Sequence, residues 1–197
     1  MISCPYCSAP LTETTPRCPH CQFDLAGLSK LLGPTPILIG GISDAPKLLS
    51  KKQLRKLEQA RHAFQLRFPQ SRLNIVLRLL PDQLPFHTLI FWLFNTAGLS
   101  EEASRRGHNR DLLIVIDPAQ QKAGIMVGYG LEPFIPQKAL DHLIQQVTPD
   151  LSRAAYAAAL HKLLNKLTYL LASLSEELEA NLTPAQALTQ EQGDYDY

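Results

Sequence analysis

Hydrophobic and polar positions along the chain fall into blocks whose periods predict a succession of helices and strands. After Ser50, which can cap a helix, apolar residues recur at helical spacing until Pro69. Residues 72–80 predict a strand, and residues 86–96 predict an apolar helix. Residues 111–116 contain the strongest apolar run, which is typical of a strand covered on both faces. This order predicts a β-α-β-α alternation and hence an α/β fold.

The second half of the chain predicts a hairpin followed by helices. Residues 117–120 favour a turn, so residues 122–127 are expected to return antiparallel to the preceding strand. Pro136 suits a first helical position and predicts a helix over residues 137–147. An apolar stripe then predicts a long helix from about residue 152 to about residue 180. Nearer the amino terminus, residues 23–32 predict a turn or short helix, and residues 37–39 predict a short strand.

All cysteines of the chain lie in its first 21 residues, as two CPxC pairs formed by Cys4, Cys7, Cys18 and Cys21. Two residues between paired cysteines let a tight turn present both thiolates to one ion, and two such turns supply the four ligands of tetrahedral zinc. Four thiolates leave no coordination position for water, so we expect one structural zinc ion. Two disulfides are the alternative, which a reducing compartment disfavours.

Composition restricts the choice of partners. The chain has 19 lysines and arginines against 18 aspartates and glutamates, and this balance does not indicate a globally basic nucleic-acid binder. No apolar run approaches the roughly 18 residues that span a bilayer, and the first residues lack the basic and apolar regions of a secretory signal. We therefore expect a cytoplasmic protein without a membrane span.

Residues 109–132 carry a recognisable arrangement. An Asn-containing loop precedes the apolar strand, a short turn leads to a second strand, and residues 127–132 read Val-Gly-Tyr-Gly-Leu-Glu. This arrangement resembles the TPM domain family, named after a thylakoid lumen protein, a photosystem repair protein and a nematode receptor modulator. The resemblance covers roughly residues 48–167 and implies a three-layer α/β/α sandwich with a central mixed sheet, here preceded by a small zinc ribbon.

The same resemblance implies function only loosely, because members are variously described as acid phosphatases, calcium binders, and repair or assembly factors. Members tend to read Asp-Asn-Gly before the strong strand, where this chain has His108, Asn109 and Arg110. Met126 stands where an acid often precedes the glycine motif, so Glu132 is the one family acid that remains. Calcium takes six to eight oxygen ligands, and a phosphatase here would need such a metal, so this loss argues against both activities.

The residues that remain around the motif define a candidate cleft. It comprises His108, Asn109, Asp111, Tyr129 and Glu132. Of these, Asn109, Asp111 and Glu132 could surround a divalent ion beside Tyr129, with Asp117 as a further ligand, and make a metal-dependent phosphatase or other hydrolase. The simpler interpretation is that the glycines serve a sharp turn, because glycine adopts positive φ without strain. We assign no catalytic residue.

Two surfaces are candidates for contact with partners. The helix predicted over residues 51–72 carries the cations Lys51, Lys52, Arg55, Lys56, Arg61, Arg67 and Arg72 and the single acid Glu58. No aromatic residues interleave on its polar face, so base stacking with nucleic acid is not expected, and a solvated face is the simpler interpretation. Apolar positions near every 3.5 residues between Leu160 and Leu178 could seat a partner helix or a second copy of the chain.

These observations lead to one organisation and one leading function. We divide the chain into a zinc ribbon (1–27), a linker with a short strand (28–47), a TPM-like α/β domain (48–168) and a carboxy-terminal helix extension with a tail (169–197). We expect a non-enzymatic module for protein interaction or assembly, which contacts a protein partner through the ribbon or the last helix. A homodimer and the metal-dependent hydrolase stay open as alternatives.

Overall fold

The computed structural model of the chain describes residues 2–12, 15–33, 41–97 and 109–190. Its strands are β1 (Ile2–Ser3), β2 (Pro10–Leu11), β3 (Gly41–Asp44), β4 (Leu73–Leu77), β5 (Leu112–Asp117) and β6 (Lys122–Val127). Its helices are α1 (Leu25–Leu32), α2 (Lys51–Arg67), α3 (Phe86–Thr96), α4 (Gln137–Gln145), α5 (Thr148–Ser152) and α6 (Tyr156–Gln190). This order contains the predicted alternation of strands and helices.

A mixed four-stranded sheet forms the centre of the fold, with the strand order β3-β4-β5-β6. Strands β3, β4 and β5 are parallel, and β6 returns antiparallel to β5. The register pairs Ile75 with Ile114 and Ile114 with Ile125, so apolar side chains stand in rows across the sheet. The central mixed sheet and the hairpin that the sequence predicts are confirmed.

Helices cover both faces of this sheet. Alternate residues of each strand point to opposite faces and therefore belong to two separate cores. Ile75 and Ile114 belong to the core formed with α2, α4, α5 and α6. Val76 and Val115 belong to the core formed with α1 and α3. Every residue of β4 and β5 is buried, which is why these strands are apolar except for Asn74 and Asp117. The three layers make the predicted α/β/α sandwich.

Helices α2 and α6 pack against each other on one face of the sheet. Ser50 caps α2 with its hydroxyl, which accepts a hydrogen bond from the backbone N–H of Gln53, and α2 leads from the end of β3 to the start of β4. Strand β6 ends beside the start of β5, so α4 leads back across the sheet before α6 begins. Near the start of both helices, the charge of Lys56 acts on His161. Burial of the imidazole is the main cause that lowers the pKa of His161, and the positive charge of Lys56 lowers it further.

The amino-terminal ribbon and α1 pack on α3, on the other face of the sheet. The ring of Phe23 stacks parallel to that of Tyr6 and meets the ring of Phe91 edge-on, with centroids 6.3 and 6.4 Å apart. The indole N–H of Trp92 donates to the hydroxyl of Ser29 in α1 over 3.0 Å. The buried hydroxyl of Thr88 donates to the backbone carbonyl of Pro5 in the ribbon. These contacts fix the ribbon to the central domain.

Some element boundaries differ from the prediction for physical reasons. The first strand of the sheet begins at Gly41, and the strand predicted over residues 37–39 lies outside the described residues. Strand β4 ends at Leu77 because the carboxylate of Asp117 accepts the backbone N–H of Leu80 and turns the chain away from the sheet. Pro149 lies in the first turn of the short helix α5, where the sequence predicted only a helix end. No helix in the described part of the chain has the length and apolar composition that crossing a membrane requires.

Candidate metal centre

The four cysteine sulfurs converge at the base of the ribbon. The Sγ atoms of Cys4 and Cys21 lie 3.7 Å apart, as do those of Cys7 and Cys18. One ligand atom from each cysteine lies within 4.8 Å of the other three, and none of the four forms a disulfide. Cys4 and Cys18 are buried, whereas Cys7 and Cys21 are partly exposed. The predicted grouping of the four residues is therefore present.

The spacing of the sulfurs suits a tetrahedral ion. A metal–sulfur bond of about 2.3 Å places the corners of a tetrahedron about 3.8 Å apart. The observed separation of 3.7 Å for both cross pairs agrees with that edge length, whereas a disulfide would bring its sulfurs to about 2.05 Å. The four cysteines could thus hold one metal ion in a closed coordination sphere.

Two turns of the same design present the sulfurs. In the first turn, the N–H of Cys4 donates to the carbonyl of Ala9, and the N–H of Ser8 donates to the carbonyl of Cys4. In the second turn, the N–H groups of Cys18 and Gln22 repeat these bonds with the carbonyls of Phe23 and Cys18. Each turn ends in a left-handed residue, with φ 59° at Ser8 and 62° at Gln22. Both CPxC sequences therefore fold into one repeated knuckle.

Backbone N–H groups favour the ionised form of one of the four thiols, that of Cys18. The N–H of Cys21, followed by that of His20, lowers the pKa of the Cys18 thiol to about 6, against the opposing effect of burial. Burial is the main cause that raises the pKa of Cys21 to about 12. Neighbouring thiolates repel each other, so the group cannot lose all its protons unless a cation compensates the charge.

An open groove of about 290 Å³ runs beside the metal centre. Its lining includes Tyr6, Phe23, Leu28 and Leu31. Leu31 is 72% exposed and Tyr6 is 44% exposed, so the groove offers apolar surface to the solvent. Sequence reasoning missed this surface and the contacts that form it, because they join α1 to α3 across more than sixty residues of chain.

The candidate cleft at the start of β5 differs from the metal centre because its side-chain oxygens are hydrogen-bonded within the protein. Asp111 is buried, and its two carboxylate oxygens accept hydrogen bonds from the guanidinium of Arg72 at 3.2 and 3.1 Å. The side-chain oxygen of Asn109 accepts the backbone N–H of Asp111. Both oxygen-bearing groups are already held within the protein, so neither projects as a free metal ligand.

The motif at residues 128–130 contains glycines because the turn after β6 closely approaches the segment before β5. A Cβ atom on Gly128 would lie 2.3 Å from the side-chain oxygen of Asn109, and one on Gly130 would lie 2.8 Å from Cγ of Arg110. The N–H groups of Gly128 and Gly130 donate to the carbonyls of Asp111 and Asn109. The motif therefore locks the turn after β6 onto the segment before β5. The turn needs glycine because the two segments approach closely, and the predicted cause was wrong, since neither Gly128 nor Gly130 adopts a positive φ.

The remaining candidate residues do not converge on one point. Tyr129 is 62% exposed, and Glu132 is exposed on the turn, where partial burial raises the pKa of its carboxyl. Asp117 lies at the opposite end of β5 and accepts the N–H groups of Leu80 and Ala119. His108 lies outside the described residues. Among the residues that the structure describes, the four cysteines form the only group of metal-binding type.

Comparison with known proteins agrees with this architecture. A family model described as TPM domain matches residues 42–170. The N-terminal domain of a protein from P. gingivalis has a TM-score of 0.58 at 21% identity, covering 75% of this chain and 89% of that chain. The BA42 protein from the psychrophilic bacterium Bizionia argentinensis has a TM-score of 0.56 at 10% identity, covering 66% and 86%. Both likenesses concern the fold alone, and no curated protein matches the chain.

Proposed function

The chain belongs to the TPM domain family, and we propose that it is a non-enzymatic module for protein interaction or assembly whose ribbon holds one structural zinc ion. The observation that carries this proposal is the closed set of four sulfurs, with both cross pairs at 3.7 Å. Soft thiolate ligands in tetrahedral geometry favour zinc, and a filled coordination sphere has no position for substrate or water. The zinc ion would then stabilise the fold of the ribbon and take no part in catalysis.

The ribbon supports this role because it has little core of its own. Beyond the cysteines, its main apolar contacts are those of Phe23 with Tyr6 and with Phe91 of α3. Metal binding supplies the folding free energy of such small modules. We therefore propose that zinc orders the ribbon, and that the ordered ribbon forms one wall of the groove beside α1. An apolar side chain of a protein partner fits a groove whose exposed lining includes Tyr6 and Leu31.

The engaged oxygens at the start of β5 support the non-enzymatic part of the proposal. A metal-dependent hydrolase needs several free carboxylates around an ion that keeps an open position. Here Asp111 is bound by Arg72, Asn109 is bound by the backbone, and Asp117 lies at the far end of the strand. A thiolate metal site also suits a reducing compartment, so we propose the cytoplasm as the location.

Elemental mass spectrometry of the purified full chain, after dialysis against calcium and magnesium, tests the metal assignment. We expect one zinc per chain and no second stoichiometric ion. One iron per chain, accompanied by visible absorbance, would overturn the assignment to zinc. Phosphoester hydrolysis is measured on the same sample with magnesium, manganese and calcium. Turnover that disappears in the Glu132→Gln variant would replace the proposed function by the hydrolase alternative.

Crosslinking to protein partners tests the interaction role. Leu31→Glu places a charge in the groove without touching the metal ligands, and Leu79→Glu is a matched control because Leu79 is 60% exposed on a loop. We expect partners crosslinked by the wild type to be lost in Leu31→Glu and retained in Leu79→Glu. Equal crosslinking by both variants would remove the groove from the proposal.

A further inference from the structure

The four sulfurs of the metal centre differ in how far solvent reaches them. Cys4 and Cys18 are buried, whereas Cys7 and Cys21 are partly exposed. Cys21 also lines the open groove of about 290 Å³ beside the ribbon, so a small molecule that enters the groove meets this residue. Oxidation of cysteine follows thiolate character and exposure. The Cys21 sulfur is therefore the one that an oxidant in the groove reaches first.

A buried sulfur lies directly beside the accessible one. The Sγ atoms of Cys4 and Cys21 are 3.7 Å apart, and they belong to different knuckles. A disulfide holds its sulfurs at about 2.05 Å, so these two atoms have to approach each other by only about 1.7 Å. The fold therefore supplies a second thiolate that can react with an oxidised Cys21.

We propose that the metal centre is a redox switch, in which hydrogen peroxide oxidises Cys21 and joins it to Cys4 as a disulfide. This inference rests on the proposed zinc ion, because metal binding keeps the sulfurs deprotonated and thus nucleophilic. The switch regulates the groove that the proposed partner occupies.

The oxidation takes place in two steps. In the first, the Cys21 sulfur attacks one oxygen of the peroxide and becomes a sulfenic acid, while the O–O bond breaks and hydroxide leaves. In the second, the Cys4 sulfur attacks the Cys21 sulfur, the S–O bond breaks and a second hydroxide leaves. The two sulfurs lose two electrons in total, and the two hydroxides take two protons from the solvent to become water.

Two of the four metal ligands are lost when this disulfide forms. The two remaining thiolates hold zinc far more weakly than four do, so the ribbon no longer retains it. A disulfide that closes a loop of this length stabilises a small module less than a metal ion at four thiolates does. The oxidised ribbon therefore keeps only a minor part of the free energy that orders its knuckles.

The metal ligands lie next to the residues that attach the ribbon to α3. Pro5 follows Cys4, and its carbonyl accepts a hydrogen bond from the hydroxyl of Thr88. Phe23 follows the second knuckle, and its ring meets that of Phe91 edge-on. Loss of the knuckles therefore breaks contacts with α3 and takes away one wall of the groove. Oxidation thus removes the surface on which the proposed partner packs.

Zinc release from the purified full chain tests the switch. The zinc-loaded protein is treated with hydrogen peroxide in the presence of a chromogenic zinc indicator. We expect one zinc per chain to be released, and dithiothreitol with added zinc to restore the starting metal content. Protein purified without zinc would contradict the proposed function itself. Bound zinc that peroxide does not release, or that reduction does not restore, would overturn the switch alone.

Trypsin digestion of the oxidised protein maps the disulfide. Trypsin cleaves after Arg17, between the two CPxC pairs, and its next site lies beyond Cys21. A bond between Cys4 and Cys21 therefore joins two tryptic peptides, whereas bonds within each pair leave the peptides separate. We expect joined peptides, with the bond assigned to Cys4 and Cys21 by fragmentation. Separate peptides with internal disulfides, or a bond between Cys7 and Cys18 alone, would overturn the proposed pairing.

Two histidine variants distinguish the two cross pairs. Cys4→His and Cys7→His each keep four donor atoms for zinc, because sites of three cysteines and one histidine are also tetrahedral, but histidine forms no disulfide. We expect Cys4→His to release zinc at least about tenfold more slowly than Cys7→His in peroxide, because its intact cross pair does not line the groove. Equal rates would overturn the role of Cys4. If a variant does not bind zinc, the disulfide map of the wild type decides the pairing.

Hydrogen exchange measured by mass spectrometry tests the consequence for the ribbon. The N–H groups of Ser8 and Gln22 donate to the carbonyls of Cys4 and Cys18 and so report on the two knuckles. We expect peptides that contain them to exchange at least about tenfold faster after oxidation, while β5 is unchanged because the sheet has its own core. Knuckles that exchange at the same rate after the disulfide has formed would overturn the proposed release of the ribbon.

Discussion

The metal centre and the loop at the start of β5 are both groups of potential ligands that the fold brings together, yet their polar atoms are used differently. In the ribbon, the backbone carbonyls and N–H groups bond to one another around the knuckles, and the four sulfurs are left facing a common point. At β5, the side-chain oxygens of Asp111 and Asn109 are occupied by Arg72 and by the backbone. Proximity alone therefore does not make a site, because the ligand atoms must also face a common point, as the four sulfurs do.

The largest expected effect concerns the ribbon. Cys18→Ser removes one of four metal ligands, and binding at such sites contributes about 10–16 kcal/mol in zinc-finger peptides. We expect the bound metal to fall from one equivalent per chain to none, and the ribbon to lose its ordered structure while the sheet remains folded. Elemental analysis and two-dimensional NMR spectra check both results. A variant that keeps its metal and ribbon resonances would contradict the four-ligand assignment.

The glycine motif should be the most sensitive point of the loop. Gly128→Ala places a Cβ atom against Asn109, and such overpacking lowers the free energy of unfolding by about 3 kcal/mol. Gly27→Ala in α1 is the control, because its Cβ would come no closer than 3.1 Å to a neighbouring atom, against 2.3 Å at Gly128, and alanine favours helix. Urea denaturation measures both changes. Equal stabilities of the two variants would show that the turn can move away from β5.

Removal of the Asp111 charge should have a smaller effect. Asp111→Asn keeps the shape of the side chain but weakens its two hydrogen bonds to Arg72, which is partly exposed. We expect a loss of about 2 kcal/mol in the free energy of unfolding. Asp82→Asn, at an exposed position in the loop before α3, is the matched control. The contrast between this loop and the metal centre would be wrong if Asp111→Asn left the free energy of unfolding unchanged and also raised the affinity for a divalent ion.

The smallest effect concerns acid stability. Lys162, followed by Arg153, lowers the pKa of Asp150 below its ordinary value of 3.8. The folded state therefore binds fewer protons than the unfolded state in this range, and the stabilisation is present above pH 3.8 and lost as the pH falls through the folded pKa. Asp150→Asn should lower the melting temperature at neutral pH and match the wild type in strong acid. A difference that does not change with pH would exclude this ion pair as the cause.

The sequence could predict those parts of the molecule whose cause is local. Ser50 supplies its own helix cap, the CPxC pairs form their own turns, and the apolar run of β5 is visible without neighbours. Contacts distant in sequence could not be predicted in this way. Arg72 reaches Asp111 across 39 positions, and it is this contact that changes a candidate ligand into a structural residue. Residue spacing therefore predicts a metal site correctly where no other group binds the ligand atoms, as in the ribbon. It predicts a site wrongly where a distant element binds those atoms, as Arg72 binds Asp111.

The position of Trp92 gives the protein an internal optical reporter. It is the single tryptophan of the chain, its side chain is 1% exposed, and its indole N–H bonds to Ser29 of α1. If α1 and the ribbon leave α3, the indole meets water and its fluorescence shifts to longer wavelength. The unlabelled protein can therefore be titrated with a chelator in a cuvette, and its own emission then follows the attachment of the ribbon in real time.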